Sequence, residues 1–303
     1  MSVAAQAPSA LRRLSLRRLA GRRALVAWAL CLPAAAFLVA FLLVPVGNLG
    51  ITSVWRTQYF HITHDWNLDQ FREILTKPGV VTTLVRSIWT GLIVAAVTLV
   101  VAFPVAWFLR FRAGAWKAPL LGVIVTVLFS SYLVRIYAWR TLMGREGALN
   151  WLLQRIGVTD HPLDFLFYNR FAVVITLVHI FLPFVILLLL ASLDGLETEV
   201  VEAARVLGAR GYQALAHVIL PIISRGAFGA FTFTFILAAG DYVTPQLVGG
   251  TSGTLLGSLI SIQFLPNGDY SHGSAISLVF LGTLAACAVG LYVLMRLAYR
   301  MAR

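Results

Sequence analysis

The sequence has 303 residues, of which 59% are hydrophobic and only 12% are charged. Soluble globular chains carry about 25% charged residues, so this composition excludes an ordinary soluble domain and indicates a membrane protein. The formal net charge of +12 does not indicate nucleic-acid binding, because a large basic cluster directly precedes the first apolar run and contains no aromatic residue. The cluster consists of Arg12, Arg13, Arg17, Arg18, Arg22 and Arg23. Such a cluster is typical of a topology signal or a contact with anionic membrane lipid.

Six apolar stretches are long enough to cross a membrane, because a helix needs about 20 residues to span the hydrocarbon core. They are predicted at about 24–46, 84–109, 118–137, 171–193, 227–248 and 274–297. The chain is therefore predicted to be an all-α polytopic membrane protein, with a basic segment over 1–23 and one transmembrane domain over 24–303. Cys31 and Cys287 both lie in apolar runs, which leaves no disulfide framework or metal site to expect.

The distribution of basic residues predicts the orientation, because cytoplasmic loops carry an excess of Lys and Arg. Fifteen of the 24 basic residues fall on the side that holds both termini, and nine fall on the other side. Both termini and the loop at 194–224 are therefore expected in the cytoplasm. A cleavable signal is the alternative for the N-terminus, but the first apolar run continues past Ala36 to Val46, which is longer than the usual apolar region of a signal.

Two segments on the opposite side are long enough to fold on themselves. The first, 47–86, is rich in aromatic residues. The second contains GREGALNWLLQRIG at 144–157, in which Leu149, Leu152, Leu153 and Ile156 recur at helical spacing. This pattern predicts a short amphipathic helix bounded by glycines.

The loop at 194–224 contains EAARVLGARGYQALAHVILP at 202–221, which consists mostly of good helix formers. Gly208 interrupts them and predicts a bend between two short helices, while Pro221 is expected to end the segment before the next span. Glu202 can form charge-assisted hydrogen bonds with a partner surface, and Ala203 and Ala204 permit close approach. The segment is therefore a candidate docking element, against the alternative of a solvated connector.

The spacing of this run resembles the EAA loop of bacterial ABC importer permeases. The matching positions are Glu202, Ala203, Ala204, Gly208, Val218, Leu220 and Pro221. Val218 stands where that family usually has isoleucine, and the proline that often precedes the glutamate is missing. The resemblance implies that the loop docks into a groove on an ATP-hydrolysing subunit and couples it to transport. The chain has no GxxxxGK[ST] phosphate loop, so ATP and Mg²⁺ are expected on a separate ATPase, with no cofactor and no catalytic residue on this chain.

Three further segments resemble the first permease subunit of spermidine/putrescine importers. They are SYLVRIYAW at 131–139, GREGALN after it, and GDYVTPQLVGG at 240–250, where relatives often have phenylalanine instead of Tyr242. The resemblance implies the fold of type I ABC importer permeases and a place in the bacterial inner membrane. It also implies a polyamine cargo, a second related permease, a pair of ATPase subunits and a periplasmic substrate-binding protein.

Asp241 is the one acidic residue inside a predicted span, where an ionisable group costs about 2.5–3.5 kcal/mol and so is expected to face a wet or protein interior. Carboxylates and aromatic faces together suit a flexible polycation. The candidate substrate pathway is Asp241, Tyr242, Tyr132, Arg135, Tyr137 and Trp139, in which the positive charge of Arg135 argues against a cation path. In the alternative, Asp241 pairs with Arg135 or caps backbone near Gly240 and Pro245, and the aromatic residues form an interfacial belt.

Other functions stay open at this point. The same machine could import ferric iron, an aminophosphonate or an opine-like compound. A membrane-embedded enzyme would need a metal-binding set or an activated nucleophile, and the acidic cluster at 194–202 has no suitable His or Cys partner except His217. A passive channel would work without an ATPase.

Overall fold

The computed structural model describes residues 9–58 and 61–301, and within 9–27 it describes the backbone alone. The helices and strands are α1 (Ser9–Ser53), β1 (Arg56–Gln58), β2 (His61–Thr63), α2 (Asp69–Thr76), α3 (Pro78–Phe111), α4 (Lys117–Phe129), α5 (Tyr132–Met143), α6 (Ala148–Arg155), α7 (Arg170–Asp194), α8 (Thr198–Val206), α9 (Gly211–Ala214), α10 (Leu220–Gly240), α11 (Leu256–Phe264) and α12 (Tyr270–Met301). Part of the predicted basic segment over 1–23 lies outside the described residues. From Ser9 onward its backbone is helical and continuous with the first span.

Five helical stretches are long and apolar enough to cross a membrane. They are Trp28–Thr52, Pro78–Phe111, Arg170–Asp194, Gly211–Gly240 and Tyr270–Leu297. A sixth crossing is available if the bent pair Gly114–Phe129 and Tyr132–Arg155 counts as one span. The all-α polytopic fold is thus confirmed, although the bounds of two predicted spans need correction.

The third predicted span, 118–137, is not one straight helix. It breaks at Ser130 and Ser131, whose ψ angles of 150° and 130° are extended, and the helices on either side are bent by 92°. Two consecutive serines favour such a break, because their hydroxyls compete with the helical hydrogen bonds. The apolar composition of the run hid this break from a reading by hydropathy alone.

The fifth predicted span, 227–248, begins earlier and ends earlier than expected. Its helix runs from Gly211 to Gly240, after which Asp241 adopts an extended conformation with ψ of 136°. The remaining residues form a separate π-helical turn over Pro245–Gly249. Proline cannot donate a backbone hydrogen bond and restricts the residue before it, so Pro245 begins a new turn rather than continuing α10.

The centre of the bundle is formed by α3, α7 and α10, which contribute most of the buried apolar residues. At Gly91 in α3, an added Cβ would lie 2.8 Å from the Cβ of Ala239 and 2.9 Å from the carbonyl oxygen of Phe235 in α10. Small residues of this kind let two membrane helices approach closely, and dispersion rather than water exclusion then stabilises the contact.

Gly91→Ala is therefore expected to destabilise the protein, because α3 and α10 must move apart to admit the methyl group. Overpacking of this kind costs about 1–3 kcal/mol. Gly282→Ala in α12 is the matched control, since nothing lies within 4 Å of its added Cβ and alanine is the better helix former. The thermal denaturation midpoints of the two purified variants test the expectation. Equal midpoints would contradict it.

The two long segments opposite the 194–224 loop are folded, as predicted. The first contains an antiparallel hairpin of β1 and β2 followed by α2. Lys77, directly after α2, donates a hydrogen bond to the carboxylate of Glu73 one turn earlier, which lowers the pKa of Glu73. The second contains α6, the predicted amphipathic helix, whose Leu149 and Leu153 pack on the core.

Candidate coupling and substrate sites

The 194–224 loop, termed the coupling segment below, contains the predicted bend. Helix α8 ends at Val206, and two residues later Gly208 is left-handed, with φ of +86°, while the N–H of Ala209 donates to the carbonyl of Ala204 at 3.0 Å. This is a Schellman C-cap, which requires a positive φ and so favours glycine. The predicted bend at Gly208 is confirmed.

Beyond the bend, the chain does not form a second isolated helix. Helix α9 begins at Gly211 and continues through a π-helical turn at Leu215–Ile219 into α10. Pro221 therefore lies inside a continuous helix and does not end the segment, contrary to the expectation from sequence. A π-turn widens the backbone, and this widened turn directly precedes the proline, whose ring would clash with a regular helical carbonyl.

The surface of α8 is divided between the core and the outside. Val201 is only 6% exposed and packs in the same apolar cluster as Leu196 and Ile219. Glu202 is exposed on the next position, and Val206 and Leu207 at the tip are each 87% exposed. Two adjacent apolar side chains with so little cover on a projecting bend are typical of a protein contact surface.

An ion-paired cluster fixes the start of the coupling segment to two other helices. Asp194, at the end of α7, pairs through its Oδ1 atom with Arg110 of α3 and Lys117 of α4, each at 3.2 Å. Arg110 also donates to the carbonyl oxygens of Leu193 and Leu196, at 3.2 and 3.3 Å. The Leu193 carbonyl also accepts from the N–H of Leu196 at 3.1 Å, so Arg110 adds a side-chain donor where α7 ends. These contacts tie the start of the segment to α3 and α4 as well as α7, and sequence reasoning did not identify this cluster.

Asp241 lies at the other end of α10, directly after the helix ends. Its carboxylate accepts hydrogen bonds from the hydroxyl of Tyr132 at 2.7 Å and from the backbone N–H groups of Val243 and Thr244, at 3.3 and 3.2 Å. The Tyr132 hydroxyl lies 2.9 Å from Thr244 Oγ1. The carboxylate thus caps the backbone at the break, as one sequence-based alternative proposed, and no ion pair with Arg135 occurs among the described residues.

The other residues of the predicted pathway separate into two groups. Tyr132, Arg135 and Trp139 share one face of α5, as their spacing of three and four residues requires. Arg135 donates to the Ile180 carbonyl of α7 at 3.0 Å. Trp139 lies against His179, also of α7, with 5.6 Å between the two ring centroids. His179 is packed against Trp139, and its buried Nδ1 has no hydrogen-bond partner among the described residues.

Tyr137 is on the opposite face of α5 and is half exposed, as is Tyr242 beside Asp241. No described contact joins Tyr137 to Asp241, so the structure does not bring the four predicted aromatic residues into one cage. The interfacial-belt alternative describes Tyr137 better.

Residues that the sequence did not single out hold the break in place. In α11, Ser258 donates to the Tyr242 carbonyl at 3.1 Å. A Cβ added to Gly257 would lie 2.9 Å from the Gly240 carbonyl oxygen and 3.1 Å from that of Asp241. The small pair Gly257–Ser258 thus lets α11 approach the backbone around Asp241. The only signal in the sequence is a pair of small residues within an apolar run.

The structure is thus a polytopic helical bundle with a helix-linked bend at one end of α10 and a capped carboxylate at the other, an architecture that suits a membrane transport subunit. Comparison with known proteins agrees. The chain belongs to the binding-protein-dependent transport system inner membrane component family, whose profile matches residues 79–303. It is therefore a multi-pass inner-membrane permease subunit of an ABC importer, and a transport subunit rather than an enzyme.

Individual members of the family and one solved structure show which proteins the chain is similar to. The chain is 30% identical over 243 residues to the spermidine/putrescine transport system permease protein PotB of Escherichia coli (strain K12), covering 80% of this chain and 88% of PotB. It is also 30% identical over 261 residues to the inner membrane ABC transporter permease protein YdcU of the same organism, covering 80% and 82%. Among solved structures, a bacterial ABC transporter involved in the import of the acidic polysaccharide alginate has a TM-score of 0.69 at 17% identity, covering 91% of this chain and 96% of that chain. This likeness supports the fold.

Proposed function

We propose that this permease imports polyamines, such as spermidine and putrescine, or closely similar organic cations. Together with a second related permease, it would receive the cargo from a periplasmic substrate-binding protein and be driven by a pair of ATPase subunits that hold ATP and Mg²⁺. Its relationship to PotB over most of both chains supports this cargo. The larger number of Lys and Arg residues on the side that holds both termini and the coupling segment, fifteen against nine, supports a cytoplasmic location for all three.

One observation carries the mechanism: a single helical stretch from Gly211 to Gly240 connects the coupling segment to Asp241. At 1.5 Å per residue it is about 45 Å long, so it reaches from one membrane face to the other. Displacement of α8 by the ATPase pair passes through the bend at Gly208 into this helix and changes the position of its far end. The two functional regions are thus moved by one element.

The far end of that helix supplies a negative charge for a cation. Asp241 is only partly buried, and its carboxylate is held in place by three hydrogen bonds. A carboxylate held in this way is preorganised, which reduces the entropy lost when a ligand binds. Tyr242, half exposed on the adjacent position, offers an aromatic face for an ammonium group.

The proposed function is tested with the cognate binding protein and the assembled transporter. We expect spermidine and putrescine to raise the thermal midpoint of the binding protein, and the transporter in proteoliposomes to accumulate labelled spermidine only with ATP. Ferric iron and an aminophosphonate serve as comparison ligands. Stabilisation of the binding protein by one of these, without a response to polyamines, would contradict the cargo while leaving the permease assignment intact.

A further inference from the structure

A cavity of about 540 Å³ lies between α10 and α12, at the end of the bundle that carries the coupling segment. Arg225, Arg296 and Arg300 line it, together with Phe228 and Tyr292. Its volume is in the range of small-molecule sites. The mechanism proposed above makes no use of this cavity.

The charge around the cavity is one-sided. No carboxylate lines it, and Arg296 and Arg300 form no ion pair within the part of the chain that the structure describes. After Glu202 the sequence has only two acidic residues, Asp241 and Asp269, and both lie near the opposite ends of α10 and α12. Arg296 and Arg300 are one turn apart on the same face, so their like charges repel unless an anion lies between them.

Apolar side chains around the cavity are exposed, as they are where a protein contacts membrane lipid. Among the described residues of α12 after Leu284, none is buried, and Val289 and Leu294 are 63% and 64% exposed. This part of α12 therefore presents apolar side chains outward within the candidate span Tyr270–Leu297. The aromatic rings of Phe228 and Tyr292 form an apolar wall beside the arginines, a combination that suits a headgroup at the membrane interface.

We infer that this cavity binds the phosphate headgroup of an anionic phospholipid, with Arg296 and Arg300 as the charged donors. Arginine matches phosphate with paired hydrogen bonds, and basic pockets between membrane helices bind anionic headgroups. Charge complementarity argues against the chain's own N-terminal segment as the occupant, because that segment carries six arginines. The bound lipid bridges α10, the helix that leads from the coupling segment, to α12.

The test is lipid binding to the full chain, purified in detergent and measured by native mass spectrometry. Dioleoyl phosphatidylglycerol, dioleoyl phosphatidylcholine and inorganic phosphate are titrated separately. We expect saturable binding of phosphatidylglycerol that phosphatidylcholine does not reproduce. The double variant R296Q/R300Q should bind phosphatidylglycerol about 25-fold more weakly, about fivefold for each arginine, given the attraction that one basic residue contributes at an anionic surface. R296K/R300K, which keeps the charge but loses the paired hydrogen bonds of the guanidinium groups, should bind more weakly than the unmodified chain and more tightly than R296Q/R300Q.

The matched control is R112Q/R210Q, which removes two exposed arginines from the same side of the bundle without altering the cavity. Equal weakening in the control would show general surface attraction and overturn the site. Displacement of the lipid by millimolar inorganic phosphate would identify a free-anion site instead. Retention of one phosphatidylglycerol in the assembled transporter would support the inference, whereas its loss on assembly would assign the cavity to a subunit contact.

Discussion

Gly208→Ala is expected to reduce ATP-driven uptake by about tenfold or more while the permease still inserts and assembles. A non-glycine residue at φ of +86° carries a backbone strain of about 1–3 kcal/mol, and 1.4 kcal/mol corresponds to a factor of ten in an equilibrium. Relief of the strain changes the angle at which α8 presents Val206 and Leu207. Because docking depends on that angle, uptake and transport-stimulated ATP hydrolysis are both expected to fall.

Gly157→Ala is the matched control for this variant. Gly157 also has a positive φ, of +72°, and nothing lies within 4 Å of its added Cβ. It follows α6, away from the coupling segment, so the variant suffers similar strain but should transport normally. Glu202→Ala is expected to lose uptake like Gly208→Ala, whereas Glu199→Ala, an exposed glutamate one turn earlier in α8, should not. Normal uptake by both the Glu202 and Gly208 variants, measured with labelled substrate in proteoliposomes, would contradict the coupling role.

The coupling segment could be located from sequence because its signals are local. A C-cap glycine, the helix formers before it and the alanine pair act within one or two turns, and the bend at Gly208 follows from them. The π-turn before Pro221 was missed because it depends on packing: Ile219 and Ile223 are buried in the same cluster as α7. Burial of these two residues keeps the helix continuous at Pro221, where the low helix propensity of proline would otherwise favour the end of the helix.

The inward-facing residues of the substrate pathway were harder to predict, because the break before α5 is not visible in the hydropathy of the sequence. If the third span is taken as one straight helix, the sequence does not indicate which of its aromatic residues face the other helices. Once the break at Ser130 and Ser131 begins a new helix, the helical period places Tyr132 and Trp139 inward and Tyr137 outward. The ion-paired cluster around Asp194 was missed for a different reason, since Arg110 and Lys117 approach it only in three dimensions.

The fold alone does not determine the charge of the cargo. The transporter with a TM-score of 0.69 is involved in the import of an acidic polysaccharide, whereas PotB belongs to a spermidine/putrescine system. One architecture thus serves cargo of opposite charge, as expected when function depends on a site carried by a common fold. Under the proposed function, the acidic group of Asp241 at the end of α10 is the local feature that would attract a cation.

Asp241→Asn is accordingly expected to reduce polyamine uptake by about tenfold or more, with assembly close to normal. The two carboxylate oxygens accept hydrogen bonds from different partners: Oδ1 from Tyr132 and Val243, and Oδ2 from Thr244. Asparagine preserves one of these arrangements and removes the negative charge, and hydrogen bonds to charged groups contribute about 1.5–3 kcal/mol each. The measurement is initial uptake of labelled spermidine, normalised to the amount of assembled complex.

Tyr132→Phe distinguishes the effect of the charge of Asp241 on uptake from the effect of its position. This variant removes one hydrogen bond to Oδ1 but keeps the carboxylate and its two backbone donors, so it should reduce uptake less than Asp241→Asn does.

If the carboxylate only stabilises the break after Gly240, both variants should lower the yield of assembled complex and leave uptake per complex unchanged. If it attracts the cargo, uptake per complex should fall with Asp241→Asn and recover with Asp241→Glu, which restores the negative charge. Recovery by the glutamate variant alone therefore distinguishes a cation site from a backbone cap, because a cap depends on carboxylate position more strictly than electrostatic attraction does.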